Sequence, residues 1–89
     1  MSRVLVMTER TLSVSDRTSY VARLTDLRQK ATAVGANFWV FEKDNAPESF
    51  LEFVEAGSVQ SLVAALASMS DVQHQPHSLA PVWREVTGV

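Results

Sequence analysis

The 89 residues, 46% hydrophobic and 20% charged with three prolines, have the balance of one folded domain spanning 1–89. The lack of cysteine excludes a disulfide staple, a thiolate zinc knot and a cysteine nucleophile. A net charge of −2 with scattered Lys and Arg argues against nucleic acid as a partner. No window approaches the roughly 20 apolar residues of a membrane span. Thr8, Glu9 and Arg10 interrupt the N-terminal apolar run before it could serve as a secretory leader, so a cytoplasmic protein without a membrane partner is expected.

In chain order, Val4 to Thr8 is apolar on both parities, which predicts a central strand covered on both faces. From about Asp16 the period changes. Tyr20, Val21, Leu24, Leu27, Ala31 and Val34 form one stripe and Arg17, Arg23, Asp26, Arg28 and Lys30 the remainder, which predicts a helix capped by Ser15 or Asp16 and ended by a left-handed Gly35. Two aromatic-rich runs follow, 37–41 and 50–54, flanking the turn-like segment Asp44 to Glu48. They predict a β-hairpin that holds five of the chain's seven aromatic residues. Ser58 is a natural N-cap for a second helix striped by Val59, Leu62, Val63, Leu66 and Met69. The polar stretch 71–78 reads as a loop, and Val82 to Val86 after Pro81 is the best fourth strand.

The order βαββαβ is that of a ferredoxin-like α+β sandwich, with four antiparallel strands and both helices on one face. The other face then requires a cover. A five-residue turn pairs Lys43 with Ser49 and Trp39 with Phe53, and puts Trp39, Phe41, Leu51 and Phe53 on one face; a turn one residue shorter sets Trp39 and Phe41 against Phe50 and Val54. Buried aromatics cover about 150 to 250 Å² each, so such a cluster amounts to about 600 Å² of apolar surface. Its burial is worth at most about 15 kcal/mol. A homodimer that buries this face is the expected assembly.

Ala36 to Phe41 after a glycine-ended helix, then Phe50 to Glu55 leading into a second helix, resembles the antibiotic biosynthesis monooxygenase family of dimeric α+β barrels. The resemblance runs from about Val4 to Val86. It implies a homodimer whose sheets face each other, helices outside, and a pocket within each subunit. It further implies oxygenation of small aromatic or quinol-like compounds without a cofactor. Glu52 matches the glutamate usual on the family's third strand and Trp39 its aromatic pocket residues. The family's frequent histidine on the second helix falls at about Ala64, and the strand-one asparagine of haem-degrading members is missing, which counts against haem degradation.

The candidate catalytic residues are Glu52, as a carboxylate among apolar neighbours suited to proton transfer, and Arg84, as an orienter of an anionic substrate. Trp39, Phe41, Phe53 and Trp83 are the candidate substrate-binding residues. Each has a structural alternative: Glu52 as an edge carboxylate or one paired with Arg84 or Lys43, Arg84 in a surface salt bridge, the aromatics as core or dimer interface. His74 and His77 read as loop residues in preference to metal ligands, and neither a metal nor a cofactor is expected. No serine, histidine and acid triad and no phosphate loop is present. Two functions remain beside the oxygenase: a non-catalytic small-ligand-binding or dimerisation domain, and, last, an amino-acid-sensing module, for which Glu9 to Ser13 lacks the usual glycine.

Overall fold

The computed structural model describes residues 3–70 and 81–86. Strand β1 (Val4–Thr11), helix α1 (Val14–Ala33), strands β2 (Asn37–Lys43) and β3 (Ala46–Ala56), helix α2 (Val59–Met69) and strand β4 (Val82–Arg84) follow one another. The four strands form one antiparallel sheet in the order β2-β3-β1-β4. This is the expected ferredoxin-like arrangement. His74 and His77 lie outside the described residues.

Alternation along the strands explains where the core sits. Val4 and Val6 of β1, Phe38 of β2, and Val54 and Ala56 of β3 are buried together with Leu27 and Ala31 of α1 and Leu62, Ala65 and Met69 of α2. The strand residues among them share a parity across the registers Val4 to Ala56, Val6 to Val54 and Phe38 to Val54, so both helices cover that one face. β1 is central, as its apolar run suggests, but covered on one side only: Leu5 and Met7 on its other face are half-buried. It also runs three residues beyond Thr8, because β3 pairs with it as far as Thr11 and Ser49.

Both helices are narrower in their buried stripe than the sequence suggests. Val21 of α1 is exposed, and so are Val59 and Val63 of α2, where Ala65 is buried instead. α1 starts at Val14 with Ser13 as its N-cap, earlier than expected. Its end is as expected: Gly35 takes φ 79°. The Gly35 amide donates to the Thr32 carbonyl (3.0 Å) and the Ala36 amide to that of Ala31 (2.9 Å), which is a Schellman motif. Ser58 caps α2, its hydroxyl accepting from the Ser61 amide at 3.1 Å.

The hairpin has the expected pairing over most of its length, Trp39 opposite Phe53 and Phe41 opposite Leu51. Its turn is tighter than the five residues expected. Asn45 adopts a left-handed φ of 65°, the chain reverses at Asp44 and Asn45, and Lys43 pairs with Ala46 in place of Ser49. The displaced residues Pro47, Glu48 and Ser49 form an irregularity in β3 at the step from Glu42 to Lys43. A bulge is where a strand tolerates proline, which has no amide hydrogen for the ladder. The Glu48 carbonyl accepts from the Leu12 amide at 2.8 Å, beyond the end of β1.

Candidate functional site

Glu52 lies on the helix-covered face and is only 3% exposed. A carboxylate buried this deeply needs charge and hydrogen bonds to replace water. Arg10 supplies the charge. It shares a parity with Val4, Val6 and Thr8 on β1, stands opposite Phe50 and hence diagonal to Glu52, and its Nε donates to Glu52 Oε2 at 2.8 Å. The Tyr20 hydroxyl, from the inward stripe of α1, donates to the same oxygen. Burial, and then the Glu52 carboxylate, push the Tyr20 phenol well above its ordinary range, against the smaller opposing effect of Arg10 and Arg23. Tyr20 therefore keeps its proton and stands as a hydrogen-bond donor to Glu52.

The ring of Phe50 joins this cluster to the hairpin. It packs on Tyr20 with centroids 4.8 Å apart, and the Arg17 guanidinium lies 5.8 Å from its centroid, within cation–π range. Arg17 also grips Glu42 with Nη2 (2.6 Å) and Nε (3.2 Å) and donates to the Pro47 carbonyl at 3.3 Å. The first half of α1 thus clasps the bulged end of the hairpin.

The aromatic candidates occupy the opposite face. Phe41 and Phe53 meet edge to face, centroids 5.6 Å apart at 87°, and Trp39 stands beside Phe53. Trp83 shares the face, opposite Leu5, but on β4, the far edge from β2 and three strand spacings, about 14 Å, away. Trp39, Phe41 and Trp83 are 44, 58 and 53% exposed, a large apolar area for an unpartnered surface. Arg84 is opposite Val4, whereas Glu52 is opposite Thr8, so four residues of β1, about 13 Å, separate them along the sheet. The structure therefore groups Trp39, Phe41 and Phe53, sets Glu52 behind the sheet from them, and joins neither to Arg84. The partner of Glu52 is Arg10, not Arg84 or Lys43.

Arg10 and Tyr20 are the members of the cluster that sequence reasoning missed. The signal for Arg10 was parity, readable only if β1 continues past Thr8; that for Tyr20 was its place on the α1 stripe, where a phenol needs a buried acceptor.

Several cavities indent the described surface. One of about 250 Å³ at the bulged end of the hairpin is lined by residues that include Arg10, Phe41, Lys43, Ser49, Phe50 and Leu51. One of about 310 Å³ lies by β4 between Arg3, Leu5, Glu55, Trp83, Arg84 and Glu85, where Arg3 and Glu55 form an ion pair. A third, about 260 Å³, lies between the end of α1 and β2 at Arg28, Thr32, Asn37, Phe38 and Trp39. Among the described residues no group of three or more His, Cys, Asp or Glu could hold a metal ion. None of their helices is long and apolar enough to cross a membrane.

No protein-family model matches the chain, and no curated protein matches it in sequence. Among solved structures it is similar to Rv0793 from Mycobacterium tuberculosis, with a TM-score of 0.62 and 13% identity over 97% of this chain and 94% of that one. A likeness at that identity speaks for the fold alone.

Proposed function

We propose that the protein is a homodimeric α+β barrel that oxygenates a small aromatic or quinol-like compound without a cofactor, on the pattern of the monooxygenases its hairpin resembles. The observation that carries this reading is the juxtaposition of an exposed aromatic sheet face with a buried carboxylate, phenol and guanidinium cluster one layer behind it. Two open faces pack together at about the 10 Å spacing of stacked sheets and bury Trp39, Phe41, Phe53 and Trp83.

In a reaction of this class the substrate is its own reductant. A quinol with an unsubstituted ring carbon gives four electrons to O2; one oxygen atom enters that carbon, the other leaves as water, and the product is a hydroxyquinone. The protein needs only an apolar bay, an acceptor for the phenolic proton and a cation beside the resulting oxyanion. In this reading Glu52 is the acceptor, reached past Arg10 at the bulged end of the hairpin and not through the sheet; Arg10 is the cation and Tyr20 the donor that fixes the carboxylate.

The test is oxygen uptake with a naphthoquinol, corrected for autoxidation. The reading requires uptake that scales with protein and falls at least tenfold in Glu52→Gln per folded chain, the folded fraction being followed by tryptophan fluorescence. Uptake at the autoxidation rate excludes the oxygenase.

One observation favours a second reading, a dimeric ligand-binding domain without catalysis: Glu52 Oε2 already accepts from both Arg10 and Tyr20, as in a purely structural tie. That reading predicts the same dimer, with no turnover and no effect of Glu52→Gln beyond stability.

A further inference from the structure

The cavity at the bulged end of the hairpin has an unusual lining. Across a regular sheet, residues of opposite parity face opposite sides and share no space. Here Phe41, Leu51 and Glu9, from the open face, border the same cavity as Arg10, Phe50 and Glu42, from the helix-covered face. The registers say why. At Glu42 the ladder between β2 and β3 breaks, and three residues of β3 pass without partners on β2. Between Glu42 and the next pair, Lys43 with Ala46, the two strands do not form a closed wall. It is the one cavity among those described where the aromatic face and the Glu52 cluster line common space, through Phe41 on one side and Arg10 on the other.

The charges at its rim point to a ligand type. Of the carboxylates on the helix-covered side, Glu42 in the lining is paired with Arg17 and Glu52 behind it with Arg10. The ammonium of Lys43 has no ion-pair partner among the described residues, and Ser49 also borders the cavity. Glu9 stands on β1 level with Leu51 and Phe41, two strand spacings across and two residues along from Lys43 on β2, about 12 Å. Phe41 and Leu51 supply the apolar part of the same lining.

We propose that this gap in the sheet is a binding site for a small planar aromatic acid, its anionic group on Lys43 and Ser49, its ring on Phe41 and Leu51, and a hydroxyl directed toward Glu9. The volume of about 250 Å³ lies just below the roughly 300 to 1,000 Å³ of pockets for drug-sized ligands, which suits one or two fused rings. The inference rests on the reading that the ligand is a small aromatic compound. It adds where that compound sits, that it carries a negative charge, and that Lys43 selects it.

The experiment is calorimetric titration of the full chain with 1-hydroxy-2-naphthoate, 1-naphthol and cyclohexanecarboxylate. Three proteins are compared: the native chain, Lys43→Gln, and Lys30→Gln on α1 as a charge-matched control. The site predicts saturable binding of the naphthoate at one per chain, weakened at least tenfold in Lys43→Gln and within twofold of native in Lys30→Gln. The naphthol should bind native and Lys43→Gln alike, and cyclohexanecarboxylate at least tenfold more weakly than the naphthoate. No saturation at millimolar naphthoate, or equal losses in the two lysine variants, overturns the proposal. Lys43-dependent naphthoate binding without oxygen uptake sinks the oxygenase and leaves this site standing; oxygen uptake by a protein whose naphthoate binding is absent or independent of Lys43 does the reverse.

Discussion

Replacing Glu52 by Gln keeps the shape of the side chain and removes its charge. Arg10 is then left with a guanidinium whose side chain is only 17% exposed and whose partner, 4% exposed, no longer carries a negative charge. Breaking a buried pair from one side costs about 3 to 5 kcal/mol; the residual access of Arg10 to water brings this to about 2 to 3. The Tyr20 hydrogen bond changes from charge-assisted to neutral, a further loss of about 1 kcal/mol. The sum, about 3 to 4 kcal/mol, is a large share of the about 4 to 13 kcal/mol expected for a chain of this length. With a urea slope of about 1.2 kcal/mol per molar, the midpoint followed by tryptophan fluorescence at fixed protein concentration falls by about 3 M. Replacing both members, Arg10→Met with Glu52→Leu, costs less than Glu52→Gln alone, because no charge is then stranded. A Glu52→Gln midpoint within 0.4 M of native, or strictly additive single-variant effects, refutes the picture of a buried interdependent pair.

The raised Tyr20 pKa carries a pH signature. An unfolded tyrosine loses its proton near pH 10 while the native phenol keeps it, so the unfolded state binds fewer protons at high pH. Stability from this group is complete below pH 10 and declines above it by up to about 1.4 kcal/mol per pH unit; the native protein should lose stability faster than Tyr20→Phe between pH 10 and 11, and parallel urea midpoints would contradict the assignment. Gly35→Ala meets no neighbour within 4 Å but forces a Cβ onto a φ of 79°, so thermal unfolding should show a loss of about 1 to 2 kcal/mol. Gly57→Ala also has open space and no positive φ, and should change stability by under about 0.5 kcal/mol.

Legibility followed the strength of the periodic signals. Alternation and helical spacing are written over many residues, and they carried the element order, the Schellman glycine, the Ser58 cap and the pairing of Trp39 with Phe53. The turn at Asn45 was less legible. A left-handed asparagine allows the reversal in two residues, and the surplus passes into a bulge that no periodicity marks. That local accident decides where a gap in the sheet opens. The Glu52 cluster was half legible: an acid among aromatics announced itself, but its partners sit 42 and 32 residues away in sequence. Only the full length of β1 and the packing of α1 bring Arg10 and Tyr20 to it. The parity of Glu52 could be read from the hairpin alone, since it alternates with Leu51 and Phe53, and already sets it behind the aromatic face.

The central claim, that the open aromatic face is covered by a second copy of the chain, is tested most directly by light-scattering mass of the native protein and of Phe41→Ser over a dilution series. Phe41 is 58% exposed in the single chain, so the substitution leaves the core of the subunit intact. The account predicts a native mass of twice the 9.8 kDa chain that persists on dilution, and a shift toward a single chain in Phe41→Ser. A native protein that remains at the mass of one chain contradicts it.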